Sequence, residues 1–375
     1  MKIRMKNKIL FGNCQDTLKQ FDPHSARTCV TSPPYYGLRD YGTATWIGGD
    51  PNCSHKRDSK VKAENCNTGH KNHDEMAGVG DAIYKSVCPK CGAVRQDSQI
   101  GLEETPEEYI ESLVSVFREV RNVLTDDGTL WVNLGDSYYN YRPGKGQSLV
   151  KQSVSKTKQD LPDDCNRRAN KLDGLKEKDL IGIPWMFAFA MRADGWYLRQ
   201  DIIWHKPNPM PESVRDRCTK SHEYIFLLSK SRSYYYNHEA IKEPVKQDWG
   251  TRNRDNGKYH KAGTGLSPHT GLTKSYTTKN KRSVWSITNK PYKQAHFATF
   301  PPDLIVPPIL AGSREGDIVL DPFMGSGTTA MVAVQNNRHY IGCELHEDYS
   351  ELIDSRMPIE ILSQKVDNPL TQALY

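Results

Sequence analysis

The stretch DIVLDPFMGSGTT, residues 317–329, decides the fold. Asp317 to Leu320 predict a strand, and the glycines that follow predict a tight turn. A helix from Thr328 to Asn336 and a strand from Tyr340 to Cys343 complete a βαβ unit. Strand-like and helix-like segments alternate along much of the remaining chain. We therefore expect an α/β fold with a doubly wound, mostly parallel sheet.

The turn after Asp321 has the residues of a nucleoside-binding loop. Glycines allow the backbone to approach a ligand closely, and the start of the helix offers free N–H groups. Glu344 closes the next strand, where an acid is suited to bind two ribose hydroxyls. A phosphate loop is disfavoured because Gly-Lys-Ser/Thr is absent and Asp321 would repel phosphate. The alternative is a Gly-rich turn without a ligand.

A second motif, VTSPPY at residues 30–35, follows a strand predicted over Ala26 to Val30. Two prolines fix the backbone directly after this strand. The Ser32 hydroxyl and the Pro33 carbonyl can accept hydrogen bonds from an amino group, and Tyr35 offers a ring on which a planar base can stack. Taken alone, the motif is equally compatible with a simple Pro-Pro turn.

Together the two motifs resemble those of the amino-group DNA methyltransferases that use S-adenosylmethionine. TSPPY at 31–35 is similar to their catalytic motif and DPFMGSGTT at 321–329 to their cofactor motif, in the order of the permuted β group. HFATFP at 296–301 resembles the segment that holds the methionine part of the cofactor. FGNC at 11–14 resembles the turn near its adenine, with Asn13 where Asp is usual. GLRDYG at 37–42 and IIWHKP at 202–207 resemble a phage-associated branch of the family.

This resemblance implies a Rossmann-like methyltransferase sheet and a set of site residues. The implied catalytic residues are Ser32, Pro33, Pro34 and Tyr35. The implied cofactor-binding residues are Asn13, His296, Phe297, Pro301, Asp321, Phe323, Gly325, Ser326, Gly327, Thr328, Thr329 and Glu344.

The chemistry of the catalytic motif follows from the poor nucleophilicity of an exocyclic amine. Hydrogen bonds to Ser32 Oγ and the Pro33 carbonyl would expose the nitrogen lone pair for direct attack on the sulfonium methyl, with the base flipped out of the helix. Methylation of a base carbon would need a nucleophilic Cys beside a Pro, and Cys165 and Cys218 lack that context. Ser at the first motif position favours cytosine N4 as the target, and adenine N6 is the alternative.

Four cysteines fall within one polar segment, residues 49–96, which we expect to be a zinc-binding insert. Cys53 and His55 form one ligand pair and Cys88 and Cys91 a second, in a Cys-Pro-Lys-Cys-Gly turn typical of zinc knuckles. Four protein ligands predict a structural metal. Cys66, His70 and His73 are alternatives to His55 as ligands, and ordinary reduced thiols are the alternative to zinc.

Two further polar inserts concentrate the positive charge of a chain whose net charge is +6. Residues 142–178 are expected to form a mobile basic insert, and residues 242–282 to form the target-recognition region. Arg252, Asn253 and Arg254 could read base edges there. The catalytic domain then comprises 1–48, 97–141, 179–241 and 283–360, with a C-terminal tail at 361–375. Double-stranded DNA is the expected partner, together with a cognate restriction endonuclease.

Composition limits the remaining possibilities. The 375 residues are 37% hydrophobic and 26% charged, which suits a packed protein. No apolar run is long enough for a membrane helix, and the apolar stretch in the basic N-terminus is too short for a signal peptide. We therefore expect a cytoplasmic enzyme. A protein-glutamine methyltransferase and a non-catalytic zinc-containing DNA-binding protein are the more distant alternatives.

Overall fold

The computed structural model describes residues 5–37, 45–55, 87–96, 99–139, 172, 174–245, 277–289 and 300–357. Several residues singled out above lie outside these ranges, as do most of both basic inserts, part of the phage-like motif at 37–42 and the C-terminal tail. These residues are Cys66, His70, His73, Cys165, Arg252, Asn253, Arg254, His296 and Phe297.

Twelve strands and six α-helices are present in the described ranges. The strands are β1 (Lys8–Phe11), β2 (Ala26–Thr31), β3 (Thr45–Ile47), β4 (Val94–Gln96), β5 (Leu124–Leu134), β6 (Tyr197–His205), β7 (His222–Ser229), β8 (Glu243–Pro244), β9 (Thr278–Lys279), β10 (Val284–Ser286), β11 (Ile318–Asp321) and β12 (His339–Glu344). The helices are α1 (Cys14–Leu18), α2 (Pro106–Val123), α3 (Ile183–Ala193), α4 (Pro302–Gly312), α5 (Thr328–Gln335) and α6 (Tyr349–Arg356).

Eight strands form one sheet in the order β1-β12-β11-β2-β5-β7-β6-β10. Neighbouring strands are parallel except where β7 pairs with β5 and β6. The predicted doubly wound, mostly parallel sheet is therefore confirmed. The chain leaves β11 toward β12 on one side and leaves β2 toward β5 on the other, so the strand order reverses between β11 and β2. Ligands of open α/β sheets bind at such a switch point, beyond the carboxyl ends of the strands.

Helices cover both faces of the sheet. On one face α1, α2 and α3 bury residues such as Leu18, Phe117 and Phe187 against the strands. On the other face α4 and α5 bury residues such as Ile309 and Val332. The alternation of side chains along β5 divides its residues between these two cores, which is why residues 130–134 are apolar at every position except Asn133.

Helix α2 shows how local sequence sets the frame of the fold. Thr105 accepts a hydrogen bond from the Glu108 N–H, and the Glu108 side chain accepts one from the Thr105 N–H, which makes a capping box. Pro106 occupies the first turn, as the sequence predicts. The helix ends at Val123, and β5 begins at the next residue rather than at Thr129.

The sequence predicts that residues 126–128 end the helix and that the strand begins at Thr129, but β5 starts earlier. Asp127 forms an ion pair with Arg27, and Asp126 forms one with Lys230. Their backbone carbonyls also accept hydrogen bonds from Ser231 Oγ and the Tyr235 N–H. Extended backbone at these positions is thereby held in place.

Two other boundaries differ from the sequence prediction. Helix α1 begins at Cys14, before the helix that the sequence predicts from Asp16 to Phe21, because the Asn13 side chain caps it by accepting from the Gln15 N–H at 2.8 Å. Helix α4 was not predicted: Pro302 suits the first helical position, but Pro307 and Pro308 inside the segment argue against a helix. Buried contacts of Leu304, Ile305 and Ile309 offset the missing N–H groups. In the described part of the chain, no helix is long and apolar enough to span a membrane.

Candidate active site

The two sequence motifs meet at the switch point of the sheet. Ser32 follows β2 directly, and the loop 322–327 follows β11, the strand beside β2. Glu344 ends β12, the next strand along, and Asn13 follows β1 at the edge of the sheet. Because all these strands are parallel, the predicted catalytic and cofactor residues just named lie at the same end of the sheet, beyond the carboxyl ends of the strands.

Glu344 holds in place the loop 322–327, the predicted cofactor loop. Its Oε2 accepts a hydrogen bond from the Gly325 N–H at 2.7 Å, and its Oε1 accepts one from the His346 N–H at 2.9 Å. Burial raises the pKa of this carboxyl above its usual range. A carboxylate has lone pairs beyond these two bonds, which leaves acceptor capacity for hydroxyl groups.

Glycines in and near the loop are required by its geometry. Gly325 and Gly327 have φ values of 53° and 77°, in the left-handed region that glycine adopts without strain. Gly342 of β12 lies directly under the loop, where a Cβ atom would sit 2.6 Å from the Asp321 carbonyl oxygen. The loop therefore packs against bare backbone.

Hydroxyl groups of the loop are engaged by a residue from α6. The Arg356 Nη1 donates to Ser326 Oγ at 2.6 Å, to the Ser326 carbonyl at 2.9 Å and to Thr328 Oγ1 at 3.0 Å. Phe323 is half-buried, with its ring 6.5 Å from that of Phe117. The Ser326 and Thr328 hydroxyls are therefore engaged within the protein.

Asp321 joins the cofactor loop to the catalytic strand. Its side chain accepts hydrogen bonds from Thr31 Oγ1 and Thr329 Oγ1, each at 2.6 Å, and from the Phe323 N–H at 3.0 Å. Asp321 is 1% exposed, and burial raises its pKa to about 6 against the opposing effect of those bonds. Thr31 immediately precedes Ser32, so one carboxylate sets the spacing of the two motifs.

The catalytic motif is fixed by hydrogen bonds along its length. Ser32 Oγ donates to the Asn133 carbonyl at 3.3 Å, and the Pro34 carbonyl accepts from Tyr109 Oη at 2.7 Å. The Gly37 N–H donates to the Gly101 carbonyl at 2.8 Å. Pro33 is buried. The loop after β2 is therefore a rigid support for the Ser32 hydroxyl.

Tyr35 is oriented by a buried polar network. Its hydroxyl donates to Glu223 Oε2 at 2.7 Å and accepts from Asn133 Nδ2 at 2.7 Å. Asn133 Nδ2 also donates to Glu223 Oε2 at 2.9 Å, and Lys206 forms an ion pair with Glu223. Burial and the neighbouring Glu223 carboxylate raise the Tyr35 pKa well above its usual value, so the phenol stays protonated.

One edge of the Tyr35 ring lies against Gly135, where a Cβ atom would be 2.6 Å from the ring carbon Cε2. The ring is only partly exposed. Its position beside Ser32 is compatible with stacking on a base, although its hydroxyl has a positioning role that the sequence did not suggest.

Several residues of this site were missed by the sequence analysis. Asn133 is a polar residue within the apolar run 130–134 of β5, and that interruption was the available signal; Glu223, near the start of β7, gave no such signal. Asp136, after β5, accepts from the N–H groups of Gly182 and Ile183 at the start of α3. Burial raises its pKa. Asp136 thus anchors a helix to the same edge of the sheet.

The four predicted zinc ligands come together. The ligand atoms of Cys53, His55, Cys88 and Cys91 all lie within 4.8 Å of one another. Hydrogen bonds from the Gly92 N–H to the Cys88 carbonyl and from the Cys88 N–H to the Ala93 carbonyl close the knuckle turn. This tetrad of soft and imidazole donors fits the ligand preference of Zn²⁺.

Comparison with known proteins places the chain in a family. A family model described as DNA methylase matches residues 26–355. The type II methyltransferase M.Cfr9I of Citrobacter freundii is 38% identical over 95% of this chain and 89% of its own length. The type II methyltransferase M.SmaI of Serratia marcescens is 39% identical over 93% of this chain and 90% of its own.

A solved structure shares the fold. PvuII DNA methyltransferase (cytosine-N4-specific) superposes with a TM-score of 0.52 at 16% identity, covering 94% of this chain and 87% of that one. The sheet and both motifs described above accord with the sequence matches. The chain therefore belongs to the DNA methylase family of S-adenosylmethionine-dependent amino-methyltransferases, as its motifs predicted.

Proposed function

We propose that this enzyme transfers a methyl group from S-adenosylmethionine to the exocyclic amine of a flipped base in double-stranded DNA, with cytosine N4 as the target. The observation that carries the proposal is the Thr31–Asp321–Thr329 hydrogen-bond bridge, which holds the Ser32 motif beside the Gly-rich loop. A methyl donor in that loop and an acceptor at Ser32 would be neighbours.

The cofactor would be held mainly by backbone and by one acid. The N–H groups at the start of α5 and the glycine-lined backbone of the loop suit close contact with a nucleoside. Glu344 would accept hydrogen bonds from the ribose hydroxyls. His296, Phe297 and Pro301 would bind the methionine part, by the family resemblance. When bound, S-adenosylmethionine supplies an electrophilic methyl group.

Ser32 and Pro33 would act on the amine of the target base. With its proton donated to the Asn133 carbonyl, the Ser32 hydroxyl presents lone pairs to an incoming N–H group. The Pro33 carbonyl would accept from the second N–H. Both bonds increase electron density on the nitrogen, and the rigid loop holds it for in-line attack. Tyr35 would stack on the flipped base.

The choice of cytosine N4 over adenine N6 rests on Ser32. Ser at this position is commoner among the cytosine-N4 enzymes of the family, and Asp or Asn among the adenine-N6 enzymes. Both amines are attached to a ring carbon beside a ring nitrogen, so the same motif could polarise either one.

A structural zinc ion bound by Cys53, His55, Cys88 and Cys91 belongs to the proposal. Trp46 of β3 stacks on the His55 ring with centroids 4.3 Å apart, and β3 pairs with β4 next to the knuckle. Four protein ligands leave no open coordination position for catalysis. Zinc would therefore stabilise the pairing of β3 with β4.

DNA would be bound through the basic segments. Residues 242–282 would recognise the target sequence and residues 142–178 would neutralise phosphates. The names of both relatives include "type II", and we propose that a cognate restriction endonuclease accompanies this enzyme.

Transfer of tritium-labelled methyl groups from S-adenosylmethionine tests the proposal. We expect label in double-stranded DNA with the unchanged enzyme and a loss of more than about 1000-fold with Ser32→Ala, while cofactor affinity measured by calorimetry stays the same. Ser231→Ala is the matched control, because Ser231 follows β7 at the end of the sheet away from Ser32. Normal turnover by the Ser32→Ala enzyme would contradict the proposed role of Ser32.

A further inference from the structure

The side-chain carbonyl of Asn133 is a buried acceptor without a partner among the residues that the structure describes. Asn133 is 6% exposed, and no donor in the described ranges is within hydrogen-bond distance of its Oδ1. Its Nδ2, in contrast, donates twice, to Tyr35 Oη and to Glu223 Oε2. Buried polar atoms are nearly always paired in folded proteins, so an unpaired acceptor beside a ligand site indicates a missing donor.

The orientation of this amide is dictated by its neighbours. Glu223 is paired with Lys206, and a carboxylate can only accept hydrogen bonds. The Nδ2 group must therefore face Glu223, because the reverse orientation would bring two acceptors together. Lys206 and Glu223 are 17% and 15% exposed in their side chains, which keeps this ion pair in place. The carbonyl oxygen is left to face the other way.

Asn133 lines a small cavity at the catalytic edge of the sheet. Val30 and Thr31, the residues that precede Ser32, form part of its wall, and Phe300 forms another part. Phe300 belongs to the segment predicted to bind the methionine part of the cofactor. The backbone carbonyl of Asn133 also accepts from Ser32 Oγ at 3.3 Å. Asn133 therefore lies beside Ser32 and shares this cavity with Phe300.

We propose that Asn133 contacts substrate during methyl transfer, its Oδ1 accepting a hydrogen bond from an N–H group of a bound substrate. Two donor groups would lie in this region: the exocyclic amine of the flipped base, which would share one of its two N–H groups between Asn133 and either Ser32 or Pro33, and the α-ammonium group of S-adenosylmethionine. Glu223 and Lys206 are the positioning residues that fix the amide. This inference rests on the proposed function and adds a specific acceptor to it.

The test removes the acceptor, together with the Nδ2 donor, in Asn133→Leu at nearly constant side-chain volume, with Asn133→Ala as a second variant. Tyr35→Phe, which breaks the bond from Nδ2 to the Tyr35 hydroxyl and keeps the acceptor, shows how much of any loss comes from that network alone. We expect at least a tenfold loss in one of two measurements. Weaker binding of S-adenosylmethionine by calorimetry identifies the ammonium group as the donor. Unchanged cofactor affinity with a lower kcat/KM for DNA at saturating cofactor identifies the base amine.

Glu223→Gln adds a readout that a general loss of packing would not give. A neutral amide at position 223 can donate as well as accept, so Asn133 is free to rotate, and we expect the same measurement to be affected in the same direction but less strongly. Asn336→Ala, which removes a half-buried amide at the far end of α5, is the control that leaves both measurements unchanged.

Two results separate this inference from the proposed function. Unchanged cofactor affinity and unchanged kcat/KM in a folded Asn133→Leu or Asn133→Ala enzyme would overturn the role of Asn133 while the enzyme remained an active methyltransferase. Absence of DNA methylation by the unchanged enzyme would overturn the proposed function itself, and with it the inference.

Discussion

At the residue scale, Asp321 connects two predicted site motifs, at Ser32 and at the Gly-rich loop, that lie almost 300 positions apart in the sequence. Its carboxylate binds Thr31 on the catalytic strand, Thr329 on α5 and the Phe323 N–H in the loop. Each of these donors would be left unsatisfied in a buried position if the acceptor were removed, at a cost of about 1–3 kcal/mol per donor.

Asp321→Ala should therefore abolish cofactor binding, with the dissociation constant for S-adenosylmethionine raised by more than about 100-fold. Titration calorimetry measures the affinity, and circular dichroism checks that the variant is folded. Asp126→Ala, which removes an exposed acid at the opposite edge of the sheet, serves as the control. An affinity within threefold of the unchanged enzyme would contradict the bridging role.

The raised pKa of Asp321 predicts a pH dependence of stability. Its folded pKa of about 6 exceeds its ordinary value of 3.8, so the folded state binds the proton more tightly than the unfolded state does. The contribution of this group to the free energy of unfolding therefore falls as the pH rises from about 4 to about 6, by roughly 2–3 kcal/mol, and is constant above that range.

The isosteric variant Asp321→Asn isolates this effect, because the amide does not titrate. As the pH rises from 4 to 6, we expect the unfolding free energy of the unchanged protein to fall relative to that of Asp321→Asn. Urea denaturation at half-unit intervals measures it. A difference that stays flat, or that shifts in the opposite direction, would show that the carboxyl titrates normally.

At the element scale, β12 and the cofactor loop are packed as closely as backbone allows. A Cβ atom on Gly342 would sit 2.6 Å from the Asp321 carbonyl oxygen and would also overlap the Met324 side chain. Gly342→Ala should thus lower the free energy of unfolding by about 1–3 kcal/mol and weaken cofactor binding. Urea denaturation and calorimetry give the two quantities.

The matched control is Gly316→Ala, in the turn before β11. A Cβ atom there meets nothing within 4 Å, and only the left-handed φ of 79° opposes the substitution. It should cost about 1–2 kcal/mol in stability and leave cofactor affinity unchanged. Equal effects of both substitutions on cofactor affinity would refute the packing argument.

The four ligands beside the paired strands β3 and β4 lead to a prediction about metal. The purified protein should contain about one zinc ion per chain, and Cys88→Ser should lose most of it and lower the melting temperature. Cys218→Ser, an exposed thiol outside the cluster, should keep the metal. Elemental analysis decides the question: folded, active protein without zinc would remove the metal from this account.

At the scale of the whole molecule, the features that could be predicted from the sequence are those formed by residues close together in the chain. The Asp321–Thr329 loop and the motif from Ser32 to Tyr35 could be recognised because turn, glycine and proline signals are contiguous. Their meeting followed from the parallel order of the strands. Cys53, His55, Cys88 and Cys91 could be proposed together because Cys88 and Cys91 have the spacing of a knuckle and Cys53 and His55 precede them in the same polar segment.

What the sequence did not reveal depends on contacts between distant positions. Tyr35 binds Glu223, 188 residues away, and Asn133, 98 residues away. Nothing in the local pattern of β5 or β7 says that these two polar residues lie side by side. Helix α4 escaped notice for a related reason: Pro307 and Pro308 oppose a helix locally, and only burial against the sheet compensates for them.

The central claim is that Ser32 directs a methyl group to the N4 amine of cytosine, and the nucleosides of methylated DNA test it most directly. Double-stranded DNA is incubated with the enzyme and S-adenosylmethionine, digested to nucleosides and analysed by mass. The account predicts N4-methylcytosine, absent when Ser32→Ala replaces the unchanged enzyme. N6-methyladenine without N4-methylcytosine would contradict it.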